Sequence, residues 1–216
     1  KVCEPGEKHK ESFRSASSAA AAGGVTSLVT RPDTKPSIDN PELLEFFKNR
    51  GKEASKVRIF PTASLTKKNN GKKMTEIGFL HEGGAVAFTD GFNSIPNTKI
   101  FHQILKYASD FNTLIIGHPQ DYFLTKNTSA TNGVFASIKG LSSSPDLAEK
   151  IGIERDTALI HNLNIRYHAD QVTTKIGLDV LRDVKATNNR ITAGTSVHHL
   201  LFNELDIGNY RTFFKL

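Results

Sequence analysis

The chain has 216 residues, 38% hydrophobic and 23% charged, which excludes a disordered polypeptide and fits one large domain with a sizeable core. Its one cysteine, Cys3, excludes an internal disulfide and suits a reducing cytosol, so a cytoplasmic location is expected. The net charge of +6 would suit an anionic partner, but bases and acids are interleaved and no apolar run approaches the ~18 residues of a membrane span, so neither nucleic acid nor a membrane is expected.

The chain opens on Lys1-Val2-Cys3 and closes on Phe213-Phe214-Lys215-Leu216, and both natural ends are expected to lie outside it. Lys1-Val2 reads as a strand stub. A helix is predicted from about His9 to Ala22, where an alanine run is stopped by Gly23-Gly24. Val25–Val29 is β-branched and reads as a strand, broken by Pro32. Asn40-Pro41-Glu42 supplies an N-cap, an N1 proline and a first-turn acid, predicting a helix to about Arg50 with Gly51 as its stop. Val57–Phe60 is the next strand. Lys67–Lys73 is a basic loop facing solvent, and Met74–His81 a helix ended by Gly83-Gly84.

Gly84–Gly91 climbs through small and apolar residues to Phe88, then presents Asp90. The same pattern recurs downstream. A helix from Asn97 to about Phe111 is followed by strand Thr113–Ile116, which ends at Gly117-His118. Pro119–Asn164 is predicted to hold two helices split near Ser142–Pro145. Strand Ile165–His168 runs into Ala169-Asp170-Gln171, and a helix covers Thr173–Lys185 with Ile176, Val180, Leu181 and Val184 inward. Strand Ile191–Ala193 and His198-His199-Leu200 close the pattern.

Strands thus recur roughly every 25–30 residues and deliver polar groups at their carboxyl ends. That predicts an α/β fold, a (β/α)8 barrel with part of the barrel absent, in one incomplete domain over 1–216. A doubly wound sheet is the alternative, although no Gly-x-Gly-x-x-Gly follows the first strand. On a barrel, Asp90 and His118 share a rim with His168 and Gln171, and Asp plus His there suits a metal. Each alone is more ordinary: Asp before Gly as a turn or cap, His in Gly-His-Pro as a packed ring. His198 and His199, if extended, point opposite ways, and His199 is taken as structural. His9, His81, His102 and His161 are expected at the surface. Lys1 reads as an exposed terminal lysine, with a buried base or carboxylate partner as the alternative, and Cys3 as a weak candidate nucleophile.

Several runs in order carry a resemblance: Glu4-Pro5-Gly6, Ala20–Thr26, Pro32–Pro36, Ile38–Pro41, Ala87–Asp90, His118, Gln171–Lys175 and His198–Phe202. Together they resemble class I dihydroorotase, of the metal-dependent amidohydrolases. The resemblance implies a (β/α)8 barrel and a zinc site, with Asp90 and His118 at metal-ligand positions. It also implies replacements. Lys1 stands where the family has a metal-binding His, and Gln171 where it has another. Cys3 stands at the substrate-carboxylate Arg, and Asp33 at a substrate-binding Asn. His168 matches a histidine that is not a ligand. The catalytic Asp would lie beyond Leu216.

Lysine brings positive charge to a cation site, glutamine is a poor zinc ligand, and loss of Arg removes a bidentate carboxylate clamp. Zinc is therefore expected to be absent or weakly bound. The resemblance implies a non-catalytic structural subunit, an oligomer with the aspartate transcarbamoylase catalytic chain in pyrimidine biosynthesis. Two other readings stand beside it. One is an active cyclic-amide hydrolase using altered ligands such as Lys1, Asp90 and His118; the other is a small-molecule binding module.

Overall fold

The computed structural model describes residues 1–209 and 211. In chain order it has α1 (Phe13–Ala22), β1 (Ser27–Thr30), α2 (Pro41–Ala54), β2 (Arg58–Pro61), α3 (Ile77–Glu82), α4 (Thr98–Ser109), β3 (Leu114–Gly117), α5 (Tyr122–Thr125) and β4 (Ala130–Thr131). It continues with α6 (Val134–Ile138), β5 (Ser143–Ser144), α7 (Leu147–Ile160), β6 (Arg166–Ala169), α8 (Lys175–Thr187), β7 (Ile191–Ala193) and α9 (Val197–Leu201). Contacts divide the chain into two units. The first comprises Lys1–Gly117 with Asn162–Tyr167; the second comprises His118–His161 and the chain from His168 onward. Among the described residues no helix is long and apolar enough to cross a membrane.

In the first unit, side chains that accept from free N–H groups set the helix starts. Ser12 caps α1, Asn40 caps α2 with Pro41 at N1, and Asn97 caps α4. β1 and β2 pair in parallel, Ser27 opposite Arg58 through Thr30 opposite Pro61. The sheet continues through Phe88, bridged in parallel to Ala63 on one side and Ile115 of β3 on the other. Packing follows the helical period. Phe101, Ile104, Leu105 and Ala108 of α4 are buried, as are Leu44, Phe47 and Gly51 of α2. Phe13 and Phe47 meet edge to face with centroids 4.7 Å apart, joining α1 to α2.

The N-terminal segment is tied down by one buried acid. Glu4 accepts from the Phe13 N–H at 3.2 Å and from Arg50 Nε at 2.6 Å, with Lys8 Nζ at 3.2 Å. Burial raises the Glu4 carboxyl, but Arg50, the Phe13 N–H and Lys8 outweigh it and hold it below its ordinary range.

In the second unit, α7 packs on α8. The tie between them is Glu149, 3% exposed. Its Oε2 accepts from the Thr173 N–H (2.9 Å) and hydroxyl (3.0 Å), its Oε1 from the Thr174 N–H (2.9 Å) and hydroxyl (2.7 Å). Gly177, one turn into α8, must lack a Cβ because one would strike Glu149 Oε1. The short strands β4 and β5 pair in parallel, Ala130 opposite Ser143.

Several expectations are corrected. Lys1-Val2 is no strand: the Glu7 N–H donates to Cys3 O at 2.8 Å and the Cys3 N–H to Glu11 O at 3.2 Å, making a turn. α1 starts at Phe13 rather than His9, where Ser12 provides the cap. α2 runs through Gly51, which is buried in its last turn, and ends at Ala54. Met74 bridges to Thr66, and the Thr75 hydroxyl donates to Ser64 O at 2.7 Å, so α3 begins only at Ile77. The first half of 119–164 holds two short helices, α5 and α6, instead of one, although the break near Ser142–Pro145 is where expected. On α8 only Gly177 and Leu181 are buried, while Ile176, Val180 and Val184 are half-buried. His198 and His199 lie in α9, not in extended chain. His81 is half-buried with its ring 6.1 Å from that of Phe111. The Phe213–Leu216 end lies outside the described residues.

Glu149→Ala is expected to lower the unfolding free energy by about 2–4 kcal/mol, because it strands the Thr173 and Thr174 donors. An unchanged urea midpoint would show that the carboxylate does not hold the start of α8.

Candidate functional site

Residues expected to carry chemistry fall in both units. Lys1, Cys3, Asp33 and Asp90 belong to the first; His118, His168 and Gln171 belong to the second.

Asp90 follows the bridged Phe88 by two residues, so the sheet places it at its edge. It is 2% exposed. Its Oδ1 accepts from the Thr66 N–H at 2.9 Å, and its Oδ2 accepts from the Thr66 hydroxyl. That hydroxyl also accepts from the Gly71 N–H at 2.9 Å. Both carboxylate oxygens are thus engaged by one threonine. Burial pushes the Asp90 carboxyl up to about 6, against the lowering effect of the Thr66 hydrogen bonds.

Beyond β1, Arg31, Lys1 and Asp33 come together. Lys1 Nζ lies 2.9 Å from Asp33 Oδ2. Arg31 reaches the same carboxylate with Nε 3.4 Å from Oδ1 and Nη2 3.5 Å from Oδ2. The guanidinium lies over the Phe92 ring, 3.5 Å from its centroid. Gly91, at φ +70°, makes this approach possible, since a Cβ there would lie 2.6 Å from Arg31 Nη2 and 3.2 Å from Asp33 Cγ. Cys3 is buried, and its small thiol offers none of the forked donors of a guanidinium.

In the second unit, His118 follows β3 directly and is half-buried. His168 Nδ1 is 2.8 Å from the Thr192 hydroxyl on β7. Burial pushes the His168 imidazole below its ordinary range, opposed by the Asp170 carboxylate. Gln171 takes a left-handed backbone, φ +57°. His199 Nδ1 lies 2.7 Å from the Ser196 hydroxyl, a local helix-start contact. A cavity of about 1170 Å³ in this unit is lined by Thr173, Thr174, Lys175, His198, His199 and Asn203 among others.

The donor set can be tested against a metal. Among the described residues no three His, Cys, Asp or Glu side chains stand together so as to hold an ion. Lys1 is cationic and paired with Asp33, and both oxygens of Asp90 are engaged by Thr66. These two positions do not fit zinc as arranged. Sequence reasoning missed Arg31, Thr66, Gly91 and Phe92. Arg31 could have been found as the i−2 neighbour of Asp33, on the same side of an extended chain. Thr66 leaves no such signal, because it meets Asp90 from 24 residues away.

The Dihydro-orotase-like family matches residues 1–176. The chain is 37% identical over 213 residues to the dihydroorotase of Bacillus subtilis (strain 168) and 36% to that of Bacillus pumilus (strain SAFR-032), in each case over 99% of its length and 50% of the relative's. It is 34% identical over 214 residues to the dihydroorotase of Ehrlichia canis (strain Jake), over 99% of the chain and 47% of that relative. It therefore spans about half the length of these curated relatives. Among solved structures it is similar to the L-hydantoinase (dihydropyrimidinase) of Arthrobacter aurescens, with TM-score 0.75 at 17% identity over 90% of the chain and 45% of that structure. A D-hydantoinase matches with TM-score 0.73 at 18% identity, over 93% and 45%. That likeness shows the fold class, an α/β barrel with part of the barrel present.

The raised Asp90 carboxyl has a definite sign. The folded state binds the proton more tightly than the unfolded chain does, so this group's stabilisation is complete below the ordinary value of 3.8 and is lost as pH rises through about 6. Stability is expected to fall by about 2–3 kcal/mol from this group between pH 4 and pH 8. Asp90→Asn should flatten that dependence relative to wild type in parallel denaturant titrations; equal slopes would show that Asp90 does not titrate in this range.

Proposed function

The chain belongs to the dihydroorotase-like family, and from that premise we propose that it is a non-catalytic member of it, a structural partner of aspartate transcarbamoylase in pyrimidine biosynthesis. The observation that carries this reading is the Lys1–Asp33 contact of 2.9 Å. By the resemblance, one of these residues replaces a metal-binding histidine and the other a substrate-binding asparagine. An ammonium repels a cation, and a carboxylate repels an anionic substrate. Here the two opposite charges close on each other, so neither is left to receive an exogenous group. Asp90 supports the same reading, since both of its oxygens are already engaged by Thr66. Cys3 supports it further, because a buried thiol cannot grip a substrate carboxylate as a guanidinium does.

A protein relieved of catalysis but retaining the fold can still present a surface. The partner follows from the family resemblance alone, and a zinc-free state follows from the replaced ligands. Both belong to the reading and share its test.

Metal content by mass spectrometry and dihydroorotate turnover, measured on one preparation of the full-length protein, are expected to give substoichiometric zinc and no rate above buffer. Sedimentation with the aspartate transcarbamoylase catalytic chain is expected to give a joint species. Stoichiometric zinc with turnover would overturn the non-catalytic reading in favour of an altered amidohydrolase. Independent sedimentation of the two proteins would overturn the partnership.

A further inference from the structure

The cluster around Asp33 has the composition of a receptor with its ligand in place. Two cations, Lys1 and Arg31, converge on a single carboxylate. The Arg31 guanidinium is fixed from below by Phe92, and Gly91 leaves the opening through which guanidinium and carboxylate meet. The three charged side chains are 32%, 20% and 17% exposed for Lys1, Arg31 and Asp33, so they are partly desolvated, and the carboxylate is the most covered. Without that carboxylate two positive charges would face each other in a partly dry site, a costly arrangement.

We propose that Lys1 and Arg31, seated on Phe92 and Gly91, form a binding site for one carboxylate of a small organic acid, and that Asp33 fills this site from within the chain. In the native protein a free carboxylate enters only by displacing Asp33, which is tethered and therefore at high effective concentration. Remove the Asp33 carboxylate and the same two cations take an acetate-sized anion from solution. The inference rests on the non-catalytic reading only in that no metal competes for Lys1.

The test is chemical rescue of the full-length Asp33→Ala variant, followed as thermal unfolding in sodium acetate, acetamide and sodium chloride. Acetate is expected to raise the midpoint saturably by about 3 °C or more. Acetamide and matched chloride should not, nor should acetate act on the wild type. Adding Arg31→Gln to Asp33→Ala should abolish the response. Should Asp33→Ala fail to fold, its recovery when refolded in acetate supports the site. Failure in acetate too, of both Asp33→Ala and Asp33→Asn, overturns it. An equal response to chloride, or one shared by the wild type, also overturns it. None of these readouts involves zinc or dihydroorotate, so turnover in the wild type would sink the non-catalytic reading without deciding this one.

Discussion

A carboxylate taken out of water must be met by donors or give up its charge, and the first unit is arranged round one such group. Glu4 reaches the start of α1 through the Phe13 N–H and the body of α2 through Arg50. This fixes where the preceding three residues lie. Lys1 meets Asp33, and Cys3 is buried, because the chain is clamped at Glu4, three residues past Lys1 and one past Cys3. Glu149 does the same in the second unit, with threonine donors in place of a guanidinium. Asp90 takes the other course: its donors are neutral, and its carboxyl rises instead.

Much of this was legible in the sequence where a single local signal decides the outcome. Asn40-Pro41 gives the start of α2, Asn97 that of α4, and Ile191–Ala193 is a strand to the residue. Errors arise where tertiary contact overrides the local signal. Gly51 would weaken an isolated helix, but here it is buried within α2 and the helix runs on to Ala54. Met74-Thr75 has helical neighbours, yet its backbone and hydroxyl are claimed by Ser64–Thr66. The Gly84–Gly91 run has the composition of a strand but keeps ladder bridges only at Phe88.

The site shows the same limit. Lys1 and Asp33 could each be recognised as out of place, and each was read as a loss. What no linear reading supplies is that they are 32 residues apart in sequence and 2.9 Å apart in space. Seen together they are one change: a cation and an anion that neutralise each other. Arg31 adds a second cation to the same carboxylate, held by an aromatic face that composition does not reveal.

The Lys1–Asp33 contact also bears on how such a chain can change over generations. If a histidine and an asparagine once stood there, as the resemblance has it, neither side chain needed the other to neutralise a fixed charge. In the charged pair each does. Restoring histidine at position 1 strips Asp33 of its nearest cation, and restoring asparagine at position 33 leaves Lys1 and Arg31 facing each other. Either single step is expected to pass through a less stable protein. The contact therefore works as a ratchet, keeping the lineage on the far side of its substitutions even where selection would favour return.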